Sequence, residues 1–562
     1  MDHTELAEHL SATYTARKNL RAPIDPHFQK LAEYFCPRKA NISGGTQTPD
    51  GSKEAALFDG SGYYALDVAV RGQSSSIIPI DRPWFSIDPP EGLKKSFRVK
   101  QWCQEVTRKM RVALVYTGFY AQADDFLADI NCFGTGAFYR ERDERGVLYK
   151  SQGIGEYCIS QNSRGDIDCL DREITMTAKQ LAGKFGEDKV SKKVQEALKA
   201  GKGKQEQQFQ VIHSIYPRSE AERMPGKIDG PNKAFASCYF ELDAKNVLRV
   251  WGYDEFPYSV SRWATWKGYE SETPWGYSPA WLALPDMKQL NVLQKNLDAL
   301  VDKKVNPPLL IPQGYKGDID KRPGGITWFD ANSQADGRPQ EWGNNGDYNI
   351  GNDRVKMKKD AVDRFFQVDM WLAVSRIDRS NVTAEEIRAR LREQSRMFSS
   401  THTRLTNDWI RPQIMGLFIE MLHAGELPEP PQEMIGQDGA GGVFLAEPSI
   451  SLNSRIAMAL KDEDDEALNS MFGMAGQIAA FKPDITDALD WDKAFQDIGR
   501  NRGINPDWNV DPAEIEKVRQ ARFEQQQQRE QGEQAEKLSK AAANVGKIPG
   551  DSPMLQMMAN AS

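Results

Sequence analysis

The feature that constrains this chain most is a helical rhythm of unusual length. Ile387, Leu391, Phe398, Leu405, Trp409, Ile410, Ile414, Leu417, Phe418 and Met421 recur at helical spacing between Thr383 and Ala424. About 40 residues at 1.5 Å each span roughly 60 Å, twice the width of a small domain. The heptads are too irregular for a sustained coiled coil, so the helix is expected to be a spine that ties subdomains together. Its start is firmly specified. Thr383 and Glu386 have the spacing of a capping box, and Val382 and Ile387 that of a hydrophobic staple. Pro412 falls inside the rhythm, and a kink near residues 408–412 is expected.

Just before the spine lies a short polar loop, Val374–Val382, carrying Arg376 and Arg379 with Asp378 as their only local counter-charge. Earlier still, two helical stretches flank a region rich in Gly, Pro, Asn and Asp. The first, Pro279–Lys304, carries a stripe of Leu290, Leu293, Leu297 and Leu300 and stops at "VNPPLLIP", where the double proline forces extended backbone. The second runs from Asp353 to Ala373. Between them, "PPLLI" and "GGITWF" read as small strands in an exposed loop.

The first 270 residues or so read as mixed α/β. Helix is expected over 3–35, up to a break at Cys36–Pro37, then over Ser61–Ser76, Lys100–Leu114 and Ala121–Phe133. A short strand, "WFSID", follows the turn at Asp81–Pro83, and strands dominate from about 137 to Trp263, with one helical insertion near Thr177–Ala200. Past the spine, "LPEPPQEMIGQDGAGG" reads as a linker. Helices are expected from about Ser454 to Phe481, then a solvated Gln/Glu/Lys-rich helix and a disordered tail.

Composition excludes several function classes. The chain has 562 residues and a net charge of −8, so it lacks the basic excess of a protein that grips nucleic acid. A phosphate-repelling surface would still let DNA slide past. The six cysteines (36, 103, 132, 158, 169 and 238) form no CxxC pair and read as small buried residues in a reducing compartment. The N-terminus does not read as a signal peptide, and no apolar run has the length to cross a bilayer, so a soluble protein made in the cytosol is expected. There is no phosphate-binding GxxxxGK[ST] loop, no HExxH zinc spacing and no GxSxG elbow. The acidic run at 462–466 reads as a solvated helix face, because five consecutive acids cannot all face one ion. No enzyme activity, cofactor or metal is expected.

Five stretches in order carry a resemblance: "LFDGSGYYALDVAVRGQSSSIIPIDRPWFSIDPP", "RWATWKGYESETPWGYSPAWLALPDMKQLNVLQKN", "VNPPLLIP", "VTAEEIRARLREQ" with the later "RLTNDWIRPQIMGLF", and "ALDWDKAFQDIGRNRGINPDWNVDPAEIEKVRQAR". Through them the chain resembles the head-to-tail connecting (portal) proteins of short-tailed bacteriophages. The resemblance implies a helix-rich, mixed α/β subunit: a wing over 1–278, stem helices over 279–304 and 353–373, and a clip over 305–352. A tunnel loop over 374–382, a spine over 383–425, a helical crown over 426–540 and a disordered tail over 541–562 complete it. It further implies a homo-oligomeric ring, usually a dodecamer, at one capsid vertex of the virion. Double-stranded DNA passes through that ring, which meets the terminase large subunit, a tail adaptor, and the capsid and scaffolding proteins. Arg376, Asp378, Arg379, Ser380 and Asn381 are then expected to face DNA, and Tyr315, Lys316, Lys321 and Arg322 of the clip to meet partners. The alternatives are another virion structural protein, such as a tail adaptor or internal scaffold, and an uncharacterised enzyme.

Overall fold

The computed structural model of the protein describes residues 3–39, 41–42, 57–94, 96–143, 146–201, 203–220, 223–224, 227, 229–266, 273–311, 318–320, 326, 328, 340–341, 347–372, 393, 397–437, 443–453, 470–477 and 512–545. The chain divides into two compact units, one of residues 1–90 with 102–463 and one of 91–101 with 464–562. In the second, the helix Pro512–Val545 is exposed along 516–540, as its polar composition requires.

The first unit opens with α1 (His3–Arg21) and α2 (Asp25–Phe35). The single helix expected over 3–35 is therefore broken. Pro23 cannot continue a helix, and Pro26 sits in the first turn of α2, where its missing N–H costs nothing. Helices α3 (Ser61–Ile77), α4 (Phe97–Tyr116, of which this unit holds the part from Trp102) and α5 (Phe119–Phe133) follow, with β1 (Phe85–Asp88) between α3 and α4.

Two antiparallel sheets come next. The smaller has the order β3–β2–β9, from β2 (Thr135–Asp143), β3 (Gly146–Gln152) and β9 (Tyr258–Arg262). The larger runs β4–β5–β6–β7–β8, from β4 (Tyr157–Gln161), β5 (Ile167–Thr177), β6 (Gln208–Pro217), β7 (Phe235–Glu241) and β8 (Asn246–Tyr253). Both faces of the larger sheet are covered. Val211 points to one face, against α6 (Ala178–Phe185) and α7 (Lys192–Ala200). Its neighbour Ile212 points to the other, where Leu10 and Tyr14 of α1 lie. Tyr14 also donates to Glu173 (2.6 Å), and Arg17 pairs with the buried Asp171 (2.6 Å).

The centre of the first unit is aromatic. Trp84, Phe119, Phe126, Phe138, Tyr149 and Trp409 are fully buried side chains in mutual contact; Phe126 and Trp409 lie 4.7 Å apart between ring centroids. Trp409 belongs to the spine, of which residues 397–423 are described and helical. The segment read as a linker is instead tied down. Trp102 Nε1 donates to Pro428 O (2.9 Å), Ile435–Gln437 pairs with Val443–Leu445, and Ser449–Leu452 pairs with β1. Its prolines suit a path over a surface as well as they suit a free connector.

Candidate functional site: a helical hairpin rooted on the aromatic core

Two antiparallel helices, α8 (Pro279–Val305) and α9 (Tyr348–Phe365), leave the core together. Asp286 meets Lys358 (2.6 Å), while eleven residues further along α8 Leu297 lies against Gly351, seven residues back along α9. At the far end, Leu309–Leu310 pairs with Gln340–Glu341. The expected start of the second helix at Asp353 misses its first turn: Asp347 accepts from the Asn349 N–H (2.8 Å) and caps the helix at Tyr348. Its expected end at Ala373 is also too late. Gln367, with φ of 55°, breaks the helix, and a short turn over Val368–Trp371 follows.

The root of α8 is the "GYSP" stretch. A Cβ at Gly276 would collide with the carbonyl of Gly134, and one at Gly134 (φ 86°) with that of Gly276, so two glycines allow the backbones to touch. Gly276 N–H also donates to Thr135 Oγ1 (2.8 Å). Ser278 then serves twice. Its hydroxyl donates to Cys132 O at the end of α5 (2.7 Å) and accepts from Trp281 N–H (3.2 Å), capping α8. Pro279 fills N1, where no N–H is needed, and Trp281 Nε1 donates to Phe133 O (3.2 Å).

The motif residues after that root fasten the hairpin further. Asn291 Oδ1 accepts from Phe58 N–H (2.7 Å). Asp59 accepts from Ser61 N–H (2.8 Å) and pairs with Lys359 of α9 (2.8 Å). Burial pushes the Asp59 carboxyl up, but the hydrogen bonds from Lys359 and Ser61 outweigh it and hold the group below the usual carboxylate range. A Cβ at Gly72 of α3 would come 2.5 Å from the Trp371 indole, so this glycine makes the berth for the end of the second helix.

The spine is clamped to the same core. Arg411 N–H reaches back five residues to Thr406 O, and Thr406–Ile410 forms a π-helical turn just ahead of Pro412. This turn stands at the expected kink. The π register carries the chain past the N–H that proline lacks. Arg140 of β2 clamps the helix just after this turn: it donates to Pro412 O (3.1 Å) and Gln413 O (3.4 Å) and pairs with Glu420 (2.7 Å). Gly416 leaves the room for it, since a Cβ there would overlap the Arg140 guanidinium and displace the clamp. Nothing in the sequence marked Arg140, which reads as one more polar residue of an alternating strand. Asp408, half-buried beside Ser261 Oγ (3.4 Å), is pushed up by its loss of solvent, with Arg262 and Arg404 pulling the other way.

Arg376, Asp378, Arg379, Ser380 and Asn381, the Thr383–Glu386 capping box, and Tyr315, Lys316, Lys321 and Arg322 lie outside the described residues. The described chain brackets both groups, with the hairpin's outer end at Leu310 and Gln340 and its inner end at Trp371. Among the described residues no His, Cys, Asp and Glu group is placed to hold a metal ion, and no helix is long and apolar enough to cross a membrane. The arrangement is mechanical: a hairpin and a helical spine fixed to one rigid core.

The chain is similar to two phage proteins over nearly its full length. It is 29% identical to the portal protein of Salmonella phage epsilon15, with 90% of this chain and 89% of that one covered. It is 30% identical to the probable portal protein of Bordetella phage BPP-1, with 93% and 92% covered. A chain from the virion of a native gene transfer agent particle superposes over 80% of this chain and 98% of its own at 11% identity and a TM-score of 0.37, too loosely to bear on the fold. The model of the bacteriophage head to tail connecting proteins matches residues 7–509, and this chain belongs to that family.

Proposed function

We propose that this chain is the portal, or head–tail connector, of a short-tailed phage: a ring of about twelve copies at one capsid vertex through which DNA enters and leaves. The single observation that carries this reading is the family match over 7–509, which takes in the hairpin, the spine and the core that holds them. The mechanism is positional. A rotationally closed ring needs two different faces on every copy, and an antiparallel hairpin offers one on each edge. DNA is contacted through phosphate or not at all, because a genome of any sequence must pass.

In this reading the inner end of the hairpin leads to the loop with Arg376, Asp378, Arg379, Ser380 and Asn381, which faces the moving DNA. The outer end carries the clip, where Tyr315, Lys316, Lys321 and Arg322 meet first the terminase and later the tail adaptor. The firm root of α8 and the clamp on the spine resist the force on that loop from either side.

Light scattering and negative-stain imaging of the purified 63.3 kDa chain test the ring. A closed ring is expected; a stable monomer or dimer overturns the reading. Deleting Arg376–Arg379 is expected to leave the ring intact while DNA retention falls; if the deletion abolishes folding, the loop is structural and faces no DNA.

A further inference from the structure

All six cysteines lie in the first unit, and the fold brings two of them together. Cys36 closes α2, its N–H donating to Ala32 O, and Cys132 stands in the last turn of α5. Three residues beyond Cys36, Lys39 crosses to α5. Its ammonium donates to Asp125 O (3.3 Å) and pairs with Asp129 (2.7 Å), one turn before Cys132. Further back along α2, the rings of Phe28 and Phe133 meet edge to face, 5.9 Å apart between centroids. The two segments are thus pinned at two points, and the thiols between them hydrogen-bond to each other, Cys132 donating to Cys36. Both are free thiols; Cys132 is fully buried and Cys36 is 8% exposed.

The pair also differs from the other four cysteines in charge balance. Burial pushes the thiols of Cys103, Cys169 and Cys238 up to about 12 and that of Cys158 up to about 11, where they are inert at neutral pH. Cys36 is lowered instead. The hydrogen bond from Cys132 and the Lys39 ammonium favour its thiolate, and together they outweigh its burial and the carboxylates of Asp125 and Asp129. Cys132 is raised, by burial first and then by the hydrogen bond it donates. A favoured thiolate beside a protonated thiol is the arrangement of an attacking and a resolving sulfur.

We infer that Cys36 and Cys132 form a peroxide-driven disulfide that ties α2 to α5 at the residue from which the root of α8 hangs. Cys132 O is the acceptor that holds Ser278. The Cys36 thiolate attacks one oxygen of hydrogen peroxide, the O–O bond breaks, hydroxide leaves, and Cys36 becomes a sulfenic acid. The Cys132 sulfur then attacks the Cys36 sulfur. The S–S bond forms, and the departing hydroxide takes the Cys132 proton as water. Two thiols lose two electrons in all, and one peroxide becomes two waters. The bond closes a loop of roughly 100 residues, so it removes much freedom from the unfolded chain.

Peptide mapping tests it. The full-length chain, freed of reductant and treated with a small excess of hydrogen peroxide, is denatured, alkylated with iodoacetamide and digested. A linked Cys36–Cys132 peptide pair is expected, with alkylation kept at the other four cysteines and restored at these two by dithiothreitol. Six alkylated cysteines, or a link between any other pair, overturn the proposal, and no variant is needed to see either. The order of attack is read with dimedone, which traps sulfenic acid. In Cys132→Ser, where no resolving thiol remains, the adduct at Cys36 is expected to rise at least tenfold over the unmodified chain. An adduct that does not rise, or one that forms at Cys132 in Cys36→Ser instead, overturns Cys36 as the attacking sulfur. The oxidised chain is also expected to unfold at a higher urea concentration than the reduced one; equal midpoints overturn the bond as a tie between α2 and α5. None of these readouts depends on whether copies form a ring.

Discussion

The spine and the hairpin are both long helical elements on one core, and they are stabilised in opposite ways. Between Phe398 and Met421 the spine buries Leu405, Trp409, Ile410, Ile414, Leu417 and Phe418 almost completely. Beyond Leu290, by contrast, α8 buries only Leu297, and α9 buries only Val355 and Val362. The spine is paid for within one copy, while the outer half of the hairpin has little to hold it except its twin helix and, in the proposed ring, its neighbours. A helix with so few buried contacts gains little from tertiary packing. The stability of an isolated copy therefore resides in the core and spine, and that of the hairpin's outer half is expected to come from assembly in the proposed ring.

This contrast can be broken most directly at Trp409. Trp409→Ala is expected to cost about 4 kcal/mol in urea unfolding, the range for emptying a large buried aromatic site. A loss near zero would mean that the spine does not depend on this core. Arg140 comes next. Arg140→Met leaves the half-buried Glu420 and two backbone carbonyls without their donor, for about 3 kcal/mol. Arg140→Met combined with Glu420→Gln is expected to recover part of that loss. If the double variant is no better than the single, the clamp works through the carbonyls alone.

The spine is also expected to carry the acid sensitivity. Burial lowers the His402 imidazole to about 4, so the folded state holds it neutral. A base with a lowered folded pKa contributes stability that is complete above its unfolded value, near 6.5, and is lost as pH falls through the folded one. Between pH 7 and pH 4 the chain is expected to lose about 3 kcal/mol more than His402→Gln does. Equal pH slopes for the two would place the acid response elsewhere, for instance at the fully buried His213, which burial lowers by the same logic.

Much of this contrast was legible in the sequence, and the part that was not has physical causes. Local signals located the helices: Ser278–Pro279 starts α8, the apolar rhythm marks the spine, and Pro412 marks its irregular turn. What sequence could not show were partners far apart in the chain. Ser449–Leu452 pairs with Phe85–Asp88 across more than 360 residues, and no local pattern encodes that register. Arg140 is invisible for a similar reason, since its value comes from a carboxylate and carbonyls more than 270 residues away in the chain. Asp59, Gly72, Gly276 and Asn291 fall in between. They stood in stretches already singled out, but their contacts with Lys359, Trp371, Gly134 and Phe58 appear only when the fold brings them together.

The smallest expected effect separates the hairpin's root from its shaft. Asp286 and Lys358 are each about a quarter exposed (24% for both side chains), so their ion pair is screened, and Lys358→Met is expected to cost only a few tenths of a kcal/mol. Lys359 is itself 41% exposed, but its partner Asp59 is 4% exposed, and Lys359→Met leaves that carboxylate buried with Ser61 alone. Its cost is expected to be larger, about 1 kcal/mol after allowance for screening. The two variants also differ with pH. Because the Asp59 carboxyl is held low in the folded state, its pairing contributes above the unfolded carboxylate value, near 4, and is lost as pH falls through the folded one. The gap between the unmodified chain and Lys359→Met should thus close in acid, while the small gap for Lys358→Met changes less. If Lys358→Met proves the more costly at pH 7, the hairpin is held along its shaft, and the distinction between a fixed root and a shaft that depends on assembly fails.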